Sequence, residues 1–402
     1  MSRGVTTRPL RMSAPAALDL TRPVVIAGGG IGGLALAFGL VRAGIPCQVY
    51  ERSPELRAAG AGLSLWANAT GALAWLGVLS ALQGLGSELR AFHIHDERGR
   101  LLARLPLPAL ATPALGLRRS DLQHALWSAL PTGVVTTGQG VEGFAALNDR
   151  VLVRRQDGTQ QEAALLVGAD GLRSQVRADL HGAEPLRYAG CVCWRALVRL
   201  PLARPPGLFT ESLGRGRCFG LMPCGADTYY WFATLNHPAG TAAALAGDRA
   251  RVLREFDGWH EPVEKIIAAT PPEAILCHEF EDRPPRRHWG AGRVTLLGDA
   301  AHPMLPNLGQ GGCTALEDAV TLAQLLSGGR VELADLRAWE RARHRRTATM
   351  QIQSRRVGQI GQLAHPWAVA LRDTVLRLTP THINARHLRA QHGWTPAVAI
   401  AG

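Results

Sequence analysis

The sequence predicts an α/β chain with an α+β character: a Rossmann-like domain on a parallel sheet, interrupted by an antiparallel-sheet domain and completed by C-terminal helices. Three observations predict it. A β-branched run, Val24 to Ile26, stops at the glycines Gly28, Gly30 and Gly33. Buried-strand texture followed by a turn and a helix returns at Leu165 and again at Val294. Between those two, from Tyr188 to Thr234, apolar and polar residues alternate as in antiparallel strands.

The first unit is PVVIAGGGIGGLALAFGLVRAGIPCQVYER, Pro23 to Arg52. Gly28 lets the chain turn, Gly30 lets the backbone approach a pyrophosphate, and Gly33 lets the following helix pack on the strand. Leu34, Phe38 and Val41 mark that helix, whose N-terminal amides face the phosphates. The strand Cys47 to Tyr50 ends in Glu51, about 20 residues beyond the glycines, where a carboxylate accepts ribose hydroxyl protons. Strand, helix and acid together specify a dinucleotide site. The motif by itself leaves NAD and FAD open.

The chain has 402 residues, 47% of them hydrophobic, enough for more than one core. Its net charge of +12 is carried almost wholly by arginine, Lys265 being the only lysine. Such a skew reads as compositional bias, and no basic run is interleaved with aromatic residues, so no nucleic-acid partner is expected. The seven cysteines include no C-x-x-C, and no histidine stands at metal-ligand spacing; reduced thiols, a cytoplasmic protein and no metal are expected. No apolar run approaches the roughly 18 residues of a membrane span, and residues 1–21 read as a disordered tail.

Further along, the glycines from Gly60, Gly62 among them, suggest a loop over a cofactor, closed by a helix ending near Val78. Ala91 to Leu107 reads as a hairpin around Glu97-Arg98-Gly99. Arg119-Ser120-Asp121 opens a helix with Ser120 as its N-cap. In ALLVGADGLRSQVRADL a strand meets a turn at Asp170 and Gly171, then a helix from Ser174. Asp248 to Ala269 reads as one helix. In RVTLLGDAAHPMLPNLGQGGCTALEDAVTLAQLL a strand precedes an ordered loop, Gly298 to Gly312, and a helix from Cys313 to Leu326. The arginine-rich run ERARHRRTATMQIQSRR reads as a solvated helix face.

G-x-G-x-x-G ending in Glu51, then GADGLRSQVR, then GDAAHPMLPNLGQGG, with an antiparallel sheet before the third, resembles the single-component FAD-dependent aromatic hydroxylases. The strand YAGCVCWRALV is similar to the salicylate, hydroxynicotinate, urate and zeaxanthin-epoxidase branches of that class. The resemblance spans residues 22 to about 360. It implies an FAD-binding domain over 22–85, 111–182 and 277–330, a substrate domain over 86–110 and 183–276, and a helical region over 331–402. It also implies that Gly28, Gly30, Gly33, Glu51 and Arg52 hold the ADP half of FAD, with Gly62 and Arg119 close by. Asp170 would serve FAD and pyridine nucleotide, Asp299 the ribityl chain, and Pro306, Gly309, Gly311 and Gly312 the isoalloxazine. The helix near Cys313 adds a physical reason, because its positive end faces the pyrimidine edge where a reduced flavin is anionic.

The implied chemistry is reduction of FAD by NAD(P)H, then use of dioxygen, through a flavin hydroperoxide, to hydroxylate or epoxidise an aromatic, heteroaromatic (quinolone-like) or prenylated ring. The protein would work as a monomer or homodimer. The alternatives are a flavin oxidoreductase without oxygen insertion, or a non-catalytic flavin sensor. Halogenase chemistry lacks its W-x-W-x-I-P stretch and its channel lysine.

Arg195, a catalytic candidate with Pro306, orients a substrate oxygen or supports the flavin, or else forms a sheet-edge ion pair. His302 reads as fixing its loop rather than relaying protons, and Cys313 as a small buried residue. Phe219, Met222, Tyr230 and Trp231 read as core, on strands where this class builds its substrate wall. The purified protein is expected to be yellow and to release FAD on denaturation. Chromatography finding FMN alone would leave Glu51 with no adenosine ribose to hold.

Overall fold

The computed structural model describes residues 17–55 and 61–396. Most of the expected disordered tail, residues 1–16, lies outside them. The remainder of that tail is packed instead: Leu18 is buried and its amide donates to Val331 O at 2.8 Å.

A five-stranded sheet runs in the order Val294–Leu296, Leu165–Gly168, Val24–Ala27, Cys47–Glu51, Val135–Thr137, with every pairing parallel. Val24–Ala27 and Leu165–Gly168 are buried at every position, as strands covered on both faces must be. From Val24–Ala27 the chain moves first to one side of the sheet and later to the other. The reversal leaves a crevice at the carboxyl ends of these two strands, beyond Ala27 and Gly168.

The second large sheet has seven strands, in the order Leu276–Asp282, Arg187–Arg199, Thr228–Asn236, Arg217–Pro223, Leu208–Leu213, Ala91–Asp96, Leu101–Leu105. All its pairings are antiparallel except that of Leu208–Leu213 with Ala91–Asp96. Strand period divides its residues between two cores. Trp194, Phe219 and Trp231 face a separate cluster with Phe256, Ile266 and Ile267. The indole N–H groups of Trp194 and Trp231 are satisfied by Leu245 O and Thr270 Oγ1, each at 2.9 Å. Phe209, Met222, Tyr230 and Phe232 face the parallel-sheet domain.

Several local expectations are corrected. Asp248 to Ala269 is two helices, Arg249–Glu255 and Val263–Ala269, because Gly258 at φ +72° and Pro262, which lacks an N–H, interrupt the ladder. Ser120 does not cap its helix; the strand Ala114–Arg118 runs directly into Arg119–Ser128, and Arg118 is the N-cap. The helix after the glycine-rich loop begins at Gly311, not Cys313. The loop expected around Gly62 contains a strand, Gly62–Leu65, paired with Ala114–Arg118.

The largest correction concerns the arginine-rich run. The helix Leu333–Gly361 is not a solvated face: Glu340, Arg343, Thr347, Gln351 and Ser354 are buried along it. Arg343 Nε donates to Asp318 Oδ1 at 2.6 Å and its Nη2 lies 2.9 Å from Glu317, while Arg346 pairs with Glu317 at 2.7 Å. Asp318 also accepts from the Gly298 amide at 3.1 Å and pairs with His302 Nε2 at 2.5 Å. Burial alone would raise the Asp318 pKa, but Arg343 and His302 outweigh it and hold the carboxyl below its ordinary value.

Arg343→Met leaves Glu317 and Asp318 short of a buried cation and is expected to destabilise the protein by about 3–5 kcal/mol in thermal or denaturant unfolding. A loss below about 1 kcal/mol would mean that Arg346 and His302 suffice. Because Asp318 titrates below its unfolded pKa of about 3.9, its contribution is present above that pH and is lost on acidification.

Candidate active site

The glycine-rich turn fills the crevice at the strand reversal. Gly28 has φ +108°, and a Cβ there would stand 2.5 Å from Ala169 O. A Cβ on Gly33 would stand 2.1 Å from Gly28 O, so helix Ile31–Arg42 sits hard against the turn. Gly30 differs. It caps that helix with no atom within 4 Å of its Cβ position, which leaves the helix N-terminus open to a phosphate. Glu51, at the end of the next strand, accepts from Gly29 N at 2.7 Å and Ser53 N at 2.8 Å. Gln123, which the sequence reading missed, holds Gly29 from the other side by donating to its carbonyl at 2.9 Å. Arg52 is exposed, its stem beside Gly140.

Asp170 packs on the same turn and works locally as a helix-terminus acceptor. Its carboxylate takes the Ser174 hydroxyl at 2.5 Å and the Gln175 and Val176 amides at 2.8 and 3.2 Å. Ser174 in turn caps the helix Gln175–His181. The buried Arg177 of that helix donates to Ala300 O and Ala301 O, both at 3.0 Å, and so ties the GADGLRS motif to the GDAAHP loop.

That loop is held by side chains along its whole length. Gln351 donates to Pro303 O at 3.0 Å, Ser354 to Leu305 O, Trp66 to Leu308 O at 3.2 Å, and Asn68 to Gln310 at 2.9 Å. Gly309 has φ +62° and lies so close to Ser64 and Trp66 that a Cβ would meet both. Pro306 is exposed at the crest. Gly311 and Gly312 form the first turn of the 17-residue helix Gly311–Ser327, which carries no acid in that turn and presents its positive end to the loop.

Asp299, Arg119 and Arg195 come together in front of this helix. A Cβ on Gly311 would lie 3.8 Å from Asp299 Oδ1. Asp299 and Arg119 are solvent-exposed yet surrounded by protein, as groups lining a concavity are. Lost solvation raises the Asp299 carboxyl, while His302 and Arg119 pull it down. Lost solvation and the charge of Arg195 lower Arg119, and Asp299 raises it.

Arg195 is not in a sheet-edge ion pair. Its strand is interior to the seven-stranded sheet, and among the described residues it pairs with no carboxylate. Its guanidinium lies beside the Tyr230 hydroxyl and 3.5 Å from His278 Nε2, and its Nε is buried without a partner among the described residues. Trp194 faces the other core, as strand alternation requires. Gly62 presses on Tyr230, where a Cβ would stand 2.3 Å from the Tyr230 Cβ. Of the four wall residues, Met222 and Tyr230 face this side and Phe219 and Trp231 do not.

A carboxylate missed by the sequence reading completes the wall. Glu211 is opposite Gly220, Gly220 opposite Phe232, and Phe232 opposite Arg195, so the four form one row across the sheet. The Phe232 ring lies across Gly220, where a Cβ would be 2.1 Å away. Glu211 is half-buried, accepts from Cys218 Sγ at 2.8 Å and has no other hydrogen-bond partner among the described residues. Burial raises its carboxyl pKa. The signal was the alternation in LFTESL, which puts Glu211 on the face of Phe209.

An open phosphate cradle, a ribose-side acid and a rigid loop ending at a positive helix terminus fit an extended flavin dinucleotide. The family model described as FAD binding domain matches residues 21–354, and the chain belongs to that family of FAD-dependent monooxygenases. It is 40% identical over 371 residues to the aurachin C monooxygenase/isomerase of Stigmatella aurantiaca, covering 91% of this chain and 97% of that protein. It is 35% identical to the 2-heptyl-3-hydroxy-4(1H)-quinolone synthase of Pseudomonas aeruginosa, covering 89% and 94%. Klebsiella pneumoniae HpxO complexed with FAD and uric acid superposes with a TM-score of 0.86 at 32% identity, over 93% of this chain and 97% of that one. FAD and NAD(P)H are the cofactor and cosubstrate of this enzyme class.

Asp299→Ala removes one charge-assisted acceptor and no apolar packing. It is expected to weaken FAD binding by about 1–3 kcal/mol in a fluorescence titration while leaving the melting of the apoprotein unchanged. Wild-type affinity would remove Asp299 from the cofactor site.

Proposed function

We propose that this enzyme inserts one oxygen atom from dioxygen into an N–H heteroaromatic ring of the quinolone class that carries an apolar substituent. The observation that supports this reading is the row Glu211, Gly220, Phe232 and Arg195 on the sheet face turned toward the flavin motifs. Three strand spacings of about 4.8 Å separate the two charged residues, roughly 14 Å between their Cα atoms. A bicyclic ring placed over Phe232 would turn a carbonyl toward Arg195 and a ring N–H toward Glu211. The half-buried Leu197 and Tyr230 flank that row and suit an alkyl or prenyl chain. One of the relatives named above bears the name of an alkylated quinolone, 2-heptyl-3-hydroxy-4(1H)-quinolone.

The amides around Gly28, Gly30 and Gly33 would hold the pyrophosphate, and Glu51 the adenosine ribose, with Arg52 alongside. Arg119 and Asp299 would hold the central part, and Pro306, Gly309, Gly311 and Gly312 the ring system. Bound FAD supplies the redox chemistry that joins NAD(P)H oxidation to oxygen insertion. The protein positions and shields. Withdrawal of the ring N–H proton toward Glu211 makes the ring more electron-rich, and Arg195 stabilises the negative charge that then builds on the substrate carbonyl oxygen. Glu211 accepts the ring N–H, and the packed aromatic wall keeps water from the reacting face. All seven cysteines are free, in keeping with a reducing, cytoplasmic setting.

NAD(P)H consumption and product formation across N–H quinolones, N-methyl quinolones and urate test this reading. Arg195→Gln should lower kcat/KM about tenfold or more and raise hydrogen peroxide release, with unchanged melting. Glu211→Gln should cost roughly ten- to hundredfold on the N–H substrate and little on its N-methyl analogue. Variants that turn over and couple like wild type, or equal wild-type activity on N–H and N-methyl rings, would overturn the assignment.

A further inference from the structure

The helix Pro366–Leu378 exposes an apolar stripe to solvent. Its outward side is apolar: Trp367 is 81% exposed, Leu371 66%, Val375 54% and Leu378 76%. These residues recur at the spacing of one helical stripe, and among the described residues none of them packs on the two cores. The side turned inward is mixed: the half-buried Ala368, Val369 and Leu376 share it with Asp373 and Arg372. Arg372 is the helix's one buried residue; its Nη1 donates to Gly214 O and Gly361 O at 3.1 Å each, and its Nε to Asp373 at 2.9 Å. Arg372 thus holds the helix in place, and about 17 Å of apolar stripe is left in solvent.

The electrostatics around the stripe indicate what covers it. From Thr374 to the end of the sequence there is no aspartate or glutamate, while Arg377, Arg386 and Arg389 are present. Arg386 and Arg389 are exposed on the following helix, Thr381–His392, with His382 and His387 beside them. Arg377 has one distant carboxylate, Asp96 at 3.7 Å, which Arg100 already holds at 2.5 Å. A second copy of the chain docking on this stripe would bring two such cationic margins together. A layer of anionic headgroups over an acyl interior matches both the charge and the apolar stripe, with Trp367 at the boundary.

We propose that the Pro366–Leu378 helix is a monotopic membrane-docking element that lies in the surface of an anionic bilayer. This does not conflict with the absence of spanning segments: among the described residues no helix is long and apolar enough to cross a membrane. The inference is independent of the substrate reading. Its consequence is geometric, because Arg372 grips the carbonyl of Gly214, immediately after the strand that carries Glu211, and docking would bring the bilayer to that end of the substrate wall.

The test is co-sedimentation of the full-length holoenzyme with vesicles of equimolar phosphatidylglycerol and phosphatidylcholine, and with vesicles of phosphatidylcholine alone. Binding is expected on the anionic vesicles, at least tenfold weaker on the neutral ones, and weaker at high salt. The triple variant Trp367→Ser, Leu371→Ser, Leu378→Ser should lose tenfold or more in affinity while retaining FAD, melting temperature and NAD(P)H oxidation. Should that variant fail to fold, Arg386→Ser with Arg389→Ser, both exposed, should lower binding several-fold and flatten its salt dependence. Failure of the wild-type protein to sediment with anionic vesicles would overturn the proposal. So would a dimer in analytical ultracentrifugation that the triple variant dissociates.

Discussion

The constraint on which the rest of this structure depends is the buried carboxylate of Asp318. It lies two turns into the helix Gly311–Ser327 and bonds the loop before that helix, through the Gly298 amide and His302, and the arginine-rich helix, through Arg343. In a water-free interior an unmatched carboxylate is strongly unfavourable, so each of these elements is held to the position that satisfies it. Glu317, beside it, does the same for Arg346 and Asn68. The loop that carries Asp299, Pro306 and Gly309 therefore takes its shape before any ligand arrives. Such preorganisation suits a site that must present donors and a helix dipole without rearranging.

The seven-stranded sheet separates stability from chemistry by strand period alone. Trp194, Phe219 and Trp231 anchor it to its own helices, and their neighbours one residue along face the flavin motifs. Arg195 and Glu211 owe their common face to this alternation and their common row to register. A slip of one residue in any of four strands would exchange wall for core. Gly62 and Gly220 matter as places where no side chain can stand, the first admitting Tyr230 and the second the Phe232 ring.

The C-terminal helices tie the molecule together by polar contacts. Arg355 reaches Asp282 at 2.8 Å, Gln362 Nε2 bonds Thr234, and His392 stacks on Trp66 with ring centroids 4.5 Å apart. Burial pushes the His392 pKa down to about 3, so the stack holds a neutral ring at physiological pH. These helices follow the usual periodicity, but with charge inward in one and apolar residues outward in another, contrary to what hydropathy alone would assign.

The parallel sheet, the nucleotide turn, the antiparallel insertion and the GDAAHP loop were all legible in the sequence. Each rests on local physics: β-branched runs, glycines where a Cβ cannot fit, alternation, and a helix start after glycines. The open position of Gly30 at the helix N-terminus and the close approach of Gly33 to the turn follow from spacing within ten residues. Arg343, Glu211 and the exposed apolar stripe of the helix at Pro366 were not legible. A buried arginine and a solvated one have the same local sequence, and what separates them is whether a carboxylate from another segment, here Asp318 some 25 positions away, is brought within hydrogen-bond distance. The same holds for Glu211, whose meaning depends on three cross-strand partners. Only the tertiary structure decides which charges meet, because pairing is settled by the folded surface and not by the order of residues along the chain.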